Sequence, residues 1–505
     1  MPDDPEVSDN RKRIVYDAEN LAALADMAED ELSGWEADLY QHGATLVHIV
    51  GEPQVGATSL PRVPRIRPGS VALFRDLFSR RVVFTNWKGS PISPPMAVFE
   101  TIMARGPRPK FRRLTAVKTH PCLRPGSYTI LDQAGHDAET GIVYRPQGVI
   151  YHAVPVAPTK DQASTALDFL VDLVSEFPFE SEFDRAVMLA AYLSPALRSA
   201  APTWPGFGFD ATAPGSGKTT AARGLSVLAD GGQGAVLALP REDESETHKV
   251  FDAALGSGLA VVILDNLTQI AKSDSACAAL TSSVYMFRPL GRSETISVSN
   301  QTIVAFTGNN LTFQSDLALR ILVCRLDPGI ERADTRRFSV SDYLSHVRLL
   351  RPKLITAALT IVRAYIAAGS PRVACQPWSR YPEFDELVRA PLLWLGEADV
   401  LETINRSAGI DPDRQELQQL LDSIVAEQFV DTFTVAELVQ RAQDPLRQTS
   451  DLRRSVLAVA GDGERVSPKR LGKYLARYAG RIVDDLQLVR QSTRRGVVRW
   501  QVFSK

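Results

Sequence analysis

Residues 212–219, Thr-Ala-Pro-Gly-Ser-Gly-Lys-Thr, place two glycines, a lysine and a hydroxyl at the spacing a polyphosphate-binding turn requires. Gly215 and Gly217 let backbone N–H groups curl around a β-phosphate, and Lys218 reaches the β- and γ-oxygens. The Thr219 hydroxyl is a hard oxygen donor for Mg²⁺. A strand before this run and a helix after it add the N-terminal field that favours anions. Pro214, Ser216 and Thr220 complete the expected ATP-binding segment. The sequence departs from the usual pattern at Thr212, where a glycine normally opens the loop.

A cation held by Thr219 needs a carboxylate at the end of a neighbouring buried strand, and Val261-Val-Ile-Leu-Asp265 supplies one. Asn266 follows, and an amide cannot accept a proton at ordinary pH, so the water-activating base stays open. Asn266 is expected to orient the water. Glu242 or Glu246, in the acidic run 241–246, is a candidate to take its proton, against the alternative of a solvated acidic turn. Asn309 ends an apolar run that starts at Thr302, where it would meet the γ-phosphate or the water. Arg320 is the first choice for an arginine finger reaching a neighbouring subunit's γ-phosphate, with Arg325 and Arg336 behind it and an intramolecular salt bridge as the competing role. The expected catalytic set is therefore Lys218, Asp265, Asn266, Asn309 and Arg320, with Mg²⁺ on Thr219 and Asp265.

These residues need a rigid frame. From 203 to 330 short apolar runs alternate with amphipathic ones, which implies an α/β core with a largely parallel sheet covered on both faces. The run 275–287 is read as one of its helices. Ahead of it, 1–34 is expected to be a flexible, solvated lead with a short helix over 15–32. Residues 35–158 read as a small α+β accessory domain, and 153–162 as a Pro-rich linker. The ATPase region, with two leading helices, is placed at 159–340. A helical lid at 341–428 holds Trp378 and Trp394 as core anchors, not stacking platforms. Helices followed by a β-like pair over 429–505 suit a winged helix.

Composition narrows the classes. The chain has 505 residues with a formal net charge of -2, which exerts no global pull on nucleic acid, so any DNA site must be local. Its four cysteines are widely separated, which suggests neither a disulfide framework nor zinc, and they are read as buried thiols. No apolar run approaches a membrane span and the N-terminus lacks an apolar leader, so the expectation is a cytoplasmic protein with no membrane partner.

With APGSGKTT, VVILDN, FRPLGRSETISVSNQTIVAFTGNNL, DLALR and WSRYPEFDELVRAPLLWLGEAD on the page, the chain resembles the helicase portion of phage and plasmid primase-helicase proteins, related to superfamily 3 and the wider AAA+ ATPases. The resemblance implies a homo-hexameric ring that moves on single-stranded DNA. It also implies a pore hairpin at RPLGRSETISVSN, whose Arg288 and Arg292 would meet backbone phosphates; a solvated surface hairpin is the competing reading. A separate primase or other replication protein is an expected partner.

Charge supports a second DNA contact. From 430 onward fifteen Lys and Arg face eight Asp and Glu, so the C-terminal segment is basic within a slightly acidic chain. Lys469, Lys473 and Arg477 share a helix face, with Arg465 and Arg470 nearby, and Arg494, Arg495 and Arg499 fall in the wing. Origin duplex DNA is the expected ligand there, with a solvated charged surface or protein docking as the alternatives. The resulting expectation is an ATP-dependent DNA helicase or translocase of a phage, prophage or plasmid replication system. A nucleotide-switched DNA-binding regulator or initiator, and a P-loop kinase, remain as alternatives.

Overall fold

Strands apolar along their whole length must be covered on both faces, and this requirement sets the centre of the molecule. The computed structural model describes residues 11–35, 38–53, 62–106, 110–213, 215–238, 244–267, 273–288, 295–314, 316–330, 339–410, 412–427, 432–444, 450–463, 465–494 and 497–504. Five parallel strands form one sheet in the order Ala235–Leu237, Val261–Leu267, Ile303–Asn309, Gly206–Ala211, Ile321–Leu326. Gly206–Ala211 is buried at every residue, and Ile303–Asn309 at all but the last. Helices Glu182–Leu197 and Lys218–Asp230 pack on this sheet, Tyr343–Ala367 packs on both of them, and Lys160–Val174 packs on Tyr343–Ala367 and Glu182–Leu197. The parallel α/β core expected from the alternation is present.

Strand order determines what meets at the sheet's C-terminal edge. Ile303–Asn309 lies between the strand that feeds loop 212–217 and the strand that carries Asp265. Asn309 therefore emerges between them. The expected helix over 275–287 is shorter, Asp274–Thr281, because Ser282 and Ser283 break it. Beyond the break, Val284–Phe287 is a strand paired antiparallel with Ile296–Ser299. Its β-branched and aromatic residues favour a pleated surface, a preference that won over the apolar periodicity.

The N-terminal segment is not a solvated lead from residue 12 onward. Lys12–Val15 pairs in parallel with Val82–Thr85. Helix Leu21–Gly34 buries Leu24, Ala25, Ala28 and Leu32 in a core with Phe74, Phe78, Phe84 and Phe99. Helical spacing of those four residues was the available signal. Beyond it lie helices Val71–Ser79 and Met96–Ala104 and the sheet Leu39–His42, Thr45–Glu52, Val63–Pro68. The chain from 153 to 162 leads into Lys160–Val174 through a capping box of Thr159 and Gln162.

Thr403 marks the end of the first compact unit; Ile404–Lys505 with 312–319 makes a second. This boundary lies ahead of the expected 428, because Tyr343–Ala367 packs directly on Lys160–Val174 and Lys218–Asp230 and forms no separate lid. Trp378 sits edge-on to Tyr381 and Phe384, and Trp394 edge-on to Tyr365, as anchors of that helical layer. In the second unit, helices Pro412–Ala426, Val435–Ala442, Asp451–Ala460 and Pro468–Tyr478 and the hairpin Leu486–Arg494 with Val497–Ser504 enclose Leu417, Leu438, Val456, Leu471, Leu475 and Trp500. Cys122 and Cys324 are buried, whereas Cys277 and Cys375 are partly exposed, against the expectation for all four. Among the described residues no helix is long and apolar enough to cross a membrane.

The N-terminal sheet touches the hairpin strand Ile296–Ser299 at one tight point. A Cβ on Gly43 would lie 1.7 Å from the Ser297 carbonyl oxygen, so no side chain fits there. Beside it the Ser299 N–H donates to the buried His42 Nε2 at 3.3 Å, which needs a neutral ring. Burial takes the His42 imidazole down to about 4. The folded ring stays neutral where the unfolded one, titrating near ~6.5, is already charged. Stability from this group is therefore full above pH ~6.5 and is lost as pH falls toward 4, by up to about 3 kcal/mol. Denaturant unfolding at pH 7.5 and 4.5 should show a smaller acid penalty in His42→Gln than in the wild type; equal penalties would contradict this assignment.

Candidate nucleotide-binding site

Strand Gly206–Ala211 ends in a loop whose Gly215 and Gly217 have φ of 79° and 98°. L side chains rarely adopt these angles, so glycine is required. A Cβ on Gly217 would also meet the Phe177 ring at 3.2 Å. Helix Lys218–Asp230 starts here, so its free N–H groups face the loop. The Ser216 hydroxyl is buried in the loop without a hydrogen-bond partner among the described residues, a polar group suited to an anion. Pro214 lies outside the described residues.

Four side chains from three elements converge at this edge. Lys218 Nζ donates to Asn309 Oδ1 at 2.7 Å. Thr219 Oγ1 donates to Asp265 Oδ1 at 3.1 Å. With its oxygen held by Lys218, Asn309 keeps its NH₂ as a donor for a phosphate oxygen. Burial lowers the Lys218 pKa, and Asp265 and Asp210 oppose the shift. Thr219 and Asp265 are the hard oxygen donors that fit Mg²⁺. Among the described residues no group of three or more His, Cys, Asp or Glu could hold a metal, and two protein oxygens suit a cation that also takes phosphate oxygens and water.

Thr307, which the sequence reading passed over, organises this edge. Its hydroxyl donates to Asp265 Oδ1 and accepts from the Asn266 N–H at 3.3 Å. Asn266 is held there at φ 59° with its side chain exposed. Asp210 was also missed. Its carboxylate accepts from the Leu311 N–H at 2.9 Å and lies 3.5 Å from Arg325 Nε, and burial raises its pKa. Thr307 and Asp210 were each visible as a lone polar residue inside an apolar strand, a weak signal without knowledge of the neighbours.

A cavity of about 560 Å³ opens beside the loop, within the size range of small-ligand sites. It is bounded by Gly215–Thr220 and by two segments the sequence did not nominate, 172–177 and 339–346. Phe177 and Tyr343 meet edge to face with centroids 5.2 Å apart. The Tyr343 hydroxyl donates to Tyr192, which donates to the Ala221 carbonyl of the loop's own helix. These aromatics fix the wall that a nucleoside would lie against.

The remaining candidates separate. Arg320 sits at the N-terminal end of Ile321–Leu326, where its carbonyl accepts from the Gly206 N–H, so it is at the opposite end of the sheet from Lys218. The six residues of strand Gly206–Ala211, five steps of roughly 3.3 Å, separate the two ends by roughly 17 Å. Arg320 lies beside Tyr381, whose hydroxyl burial pushes up to about 12 against the pull of that guanidinium. Arg325 is at the loop end and faces Asp210 in the same chain. Glu246 is exposed and pairs with Lys249, while Glu244 caps helix Asp274–Thr281 through Ser275. No described contact joins Glu246 to the phosphate loop. Glu242, Arg292, Arg336 and Arg495 lie outside the described residues.

Arg288 is exposed at the end of hairpin strand Val284–Phe287. In the second unit Lys469 and Lys473 are exposed on Pro468–Tyr478, opposite buried Leu471 and Leu475. Arg477 pairs with Asp413 at 3.3 Å, Arg470 donates to the Gly461 carbonyl, and Arg499 donates to Thr432, so these three are partly committed. Arg494 belongs to the hairpin strand Leu486–Arg494.

No protein-family description and no curated protein matches this sequence. Among solved structures, the A form apo structure of the NrS-1 C-terminal region aligns at 9% identity over 90% of this chain and 96% of its own, with a TM-score of 0.38. A second structure of that region gives the same identity and coverage at 0.37. A structure described as the SCCmec type IV Cch active helicase aligns at 9% identity over 93% of this chain and 98% of its own, with a TM-score of 0.34. These likenesses are too distant to carry residue roles across.

Thr307→Val keeps the shape and removes the hydroxyl that orients Asp265. Half-maximal Mg²⁺ for binding of a fluorescent ATP analogue should rise about tenfold, in line with outer-shell losses at metal sites, and Thr307→Ser should restore it. An unchanged Mg²⁺ requirement in the valine variant would remove Thr307 from the site.

Proposed function

We propose that this chain is an AAA+-like P-loop ATPase that works on DNA as a helicase or translocase of a phage, prophage or plasmid replication system. The observation that carries the ATPase reading is the paired contact of Lys218 with Asn309 and Thr219 with Asp265 at the mouth of a glycine turn. That set answers one substrate: a nucleoside triphosphate whose β- and γ-oxygens face a lysine, a helix N-terminus and a cation site. Bound Mg²⁺ would neutralise charge developing on the phosphates. Lys218 and Asn309 would orient the γ-phosphate, Asn266 would position water, and the aromatic wall of Phe177 and Tyr343 would seat the base.

The position of Arg320 supports hydrolysis between subunits. It cannot reach its own phosphate loop from the far end of the sheet, whereas a neighbouring subunit in a ring could receive it as an arginine finger. Arg288 on the hairpin, and Lys469 and Lys473 on the exposed face of a winged-helix domain, are the proposed contacts to single-stranded and origin duplex DNA. Arg292, Arg477, Arg494 and Arg495 extend that set. A homo-hexamer, with a separate primase as partner, completes the proposal. One observation favours a second reading, a nucleotide-switched DNA-binding regulator: Asn266 occupies the place of a carboxylate base, so turnover would be slow.

Steady-state phosphate release, measured with and without single-stranded DNA at two salt concentrations, tests this. DNA should stimulate turnover in a salt-sensitive way, and Lys218→Ala should lower it by about 100-fold or more. Turnover unchanged by that substitution would refute the site. Mixing Lys218→Ala with Arg320→Ala protein should recover activity above either alone, because some interfaces then hold both intact residues; no recovery would exclude Arg320 as a shared group.

A further inference from the structure

We infer that the turn at 86–90 in the N-terminal region is a stacking contact for single-stranded nucleic acid, with Trp87 as the platform and Lys88 as its phosphate partner. Trp87 is 82% exposed, the largest aromatic surface left open among the described residues. Tryptophan is usually well buried, so an indole in water calls for an explanation that a scattered aliphatic residue does not. The turn is also rigid. Its flanking strands Val82–Thr85 and Pro91–Ile92 pair through Phe84 with Ile92 and Thr85 with Pro91, and Phe84 is anchored in the core.

Within the turn the Asn86 N–H donates to the Ser90 carbonyl and the Gly89 N–H to the Asn86 carbonyl, each at 2.9 Å. The Asn86 side-chain oxygen accepts from the N–H groups of Lys88 at 2.9 Å and Ser90 at 3.0 Å. These bonds hold the tip in one shape, so the indole is presented, not merely uncovered.

Chemistry identifies the occupant. Lys88 Nζ lies 4.7 Å from the centre of the Trp87 ring, which places a cation against one face and leaves the other open. An aromatic face beside an ammonium is the composition that binds a base and its phosphate without regard to sequence. A protein partner fits poorly. The only exposed apolar neighbour on the adjoining strand is Val15. Together with an indole it offers roughly 300 Å², well short of the about 800 Å² per side of a stable protein interface. One base needs a single ring face.

The choice of DNA as the strand rests on the proposed function; the stacking chemistry does not. The test is binding of a fluorescent oligo-dT by the full chain, read by anisotropy over a salt series. Trp87→Ala should weaken binding about five- to tenfold with no change in salt slope, because stacking releases no counterion, and Trp87→Phe should recover most of it. Lys88→Ala should reduce the slope by about 0.7, one phosphate contact on a single strand. Iodouracil in the oligonucleotide should crosslink to the peptide that carries Trp87. If the wild type binds and Trp87→Ala binds within twofold of it, this inference is overturned and the proposed function stands. If the wild type binds no oligonucleotide, both fall.

Discussion

The Asp265 carboxylate is the group on which the site's geometry depends. One of its oxygens receives hydroxyls from two elements, Thr219 at the start of a helix and Thr307 on the neighbouring strand. That convergence requires the strand of Thr307 to lie between the strand feeding the glycine turn and the strand of Asp265. The parallel sheet provides this order. The two hydroxyls fix the direction in which the half-covered carboxylate presents its oxygens.

A second layer of polar contacts ties helix Lys218–Asp230 to the rest of the first unit. Arg351, buried on Tyr343–Ala367, donates to the Leu228 carbonyl at 2.9 Å and the Ala229 carbonyl at 3.2 Å, at the C-terminal end of Lys218–Asp230. A cation there complements the negative end of the helix. The same guanidinium reaches Thr119 at 2.6 Å and Tyr151 at 2.5 Å, so the N-terminal region and that helix share one side chain. Arg198 does similar work at the start of Ile303–Asn309, donating to the Asn300 and Ala201 carbonyls at 2.6 Å each. Both arginines direct these donors to uncharged oxygens, backbone carbonyls for Arg198 and carbonyls with two hydroxyls for Arg351, the arrangement that lets a charge be buried without a carboxylate.

What the sequence made legible was local. The glycine turn, Asp265 and Asn309 are each set by a few adjacent residues, and the alternation of runs was enough to imply a parallel sheet. Thr307, Asp210, Phe177 and Tyr343 escaped because their roles depend on which strand or helix lies beside them, and strand order is not written in any one segment. The strand at Val284–Phe287 was read as helix because four apolar residues fit either period. A short helix over 15–32 was legible, but its burial was not, because Phe74, Phe78, Phe84 and Phe99, with which Leu21–Gly34 shares a core, lie far along the chain. The boundary at Thr403 was missed for a related reason: helices on either side of it look alike, and only packing separates them.

Arg320 and Lys218 stand at opposite ends of one strand register, and that distance has a kinetic meaning. If hydrolysis needs both groups at one phosphate, a lone chain carries every part of the machinery and still cannot assemble it. Turnover per chain would then vary with protein concentration, falling on dilution below the dissociation constant of any assembly that brings the two ends together. The thickness of the sheet would act as a census of neighbours, and an isolated subunit would bind nucleotide while leaving it intact.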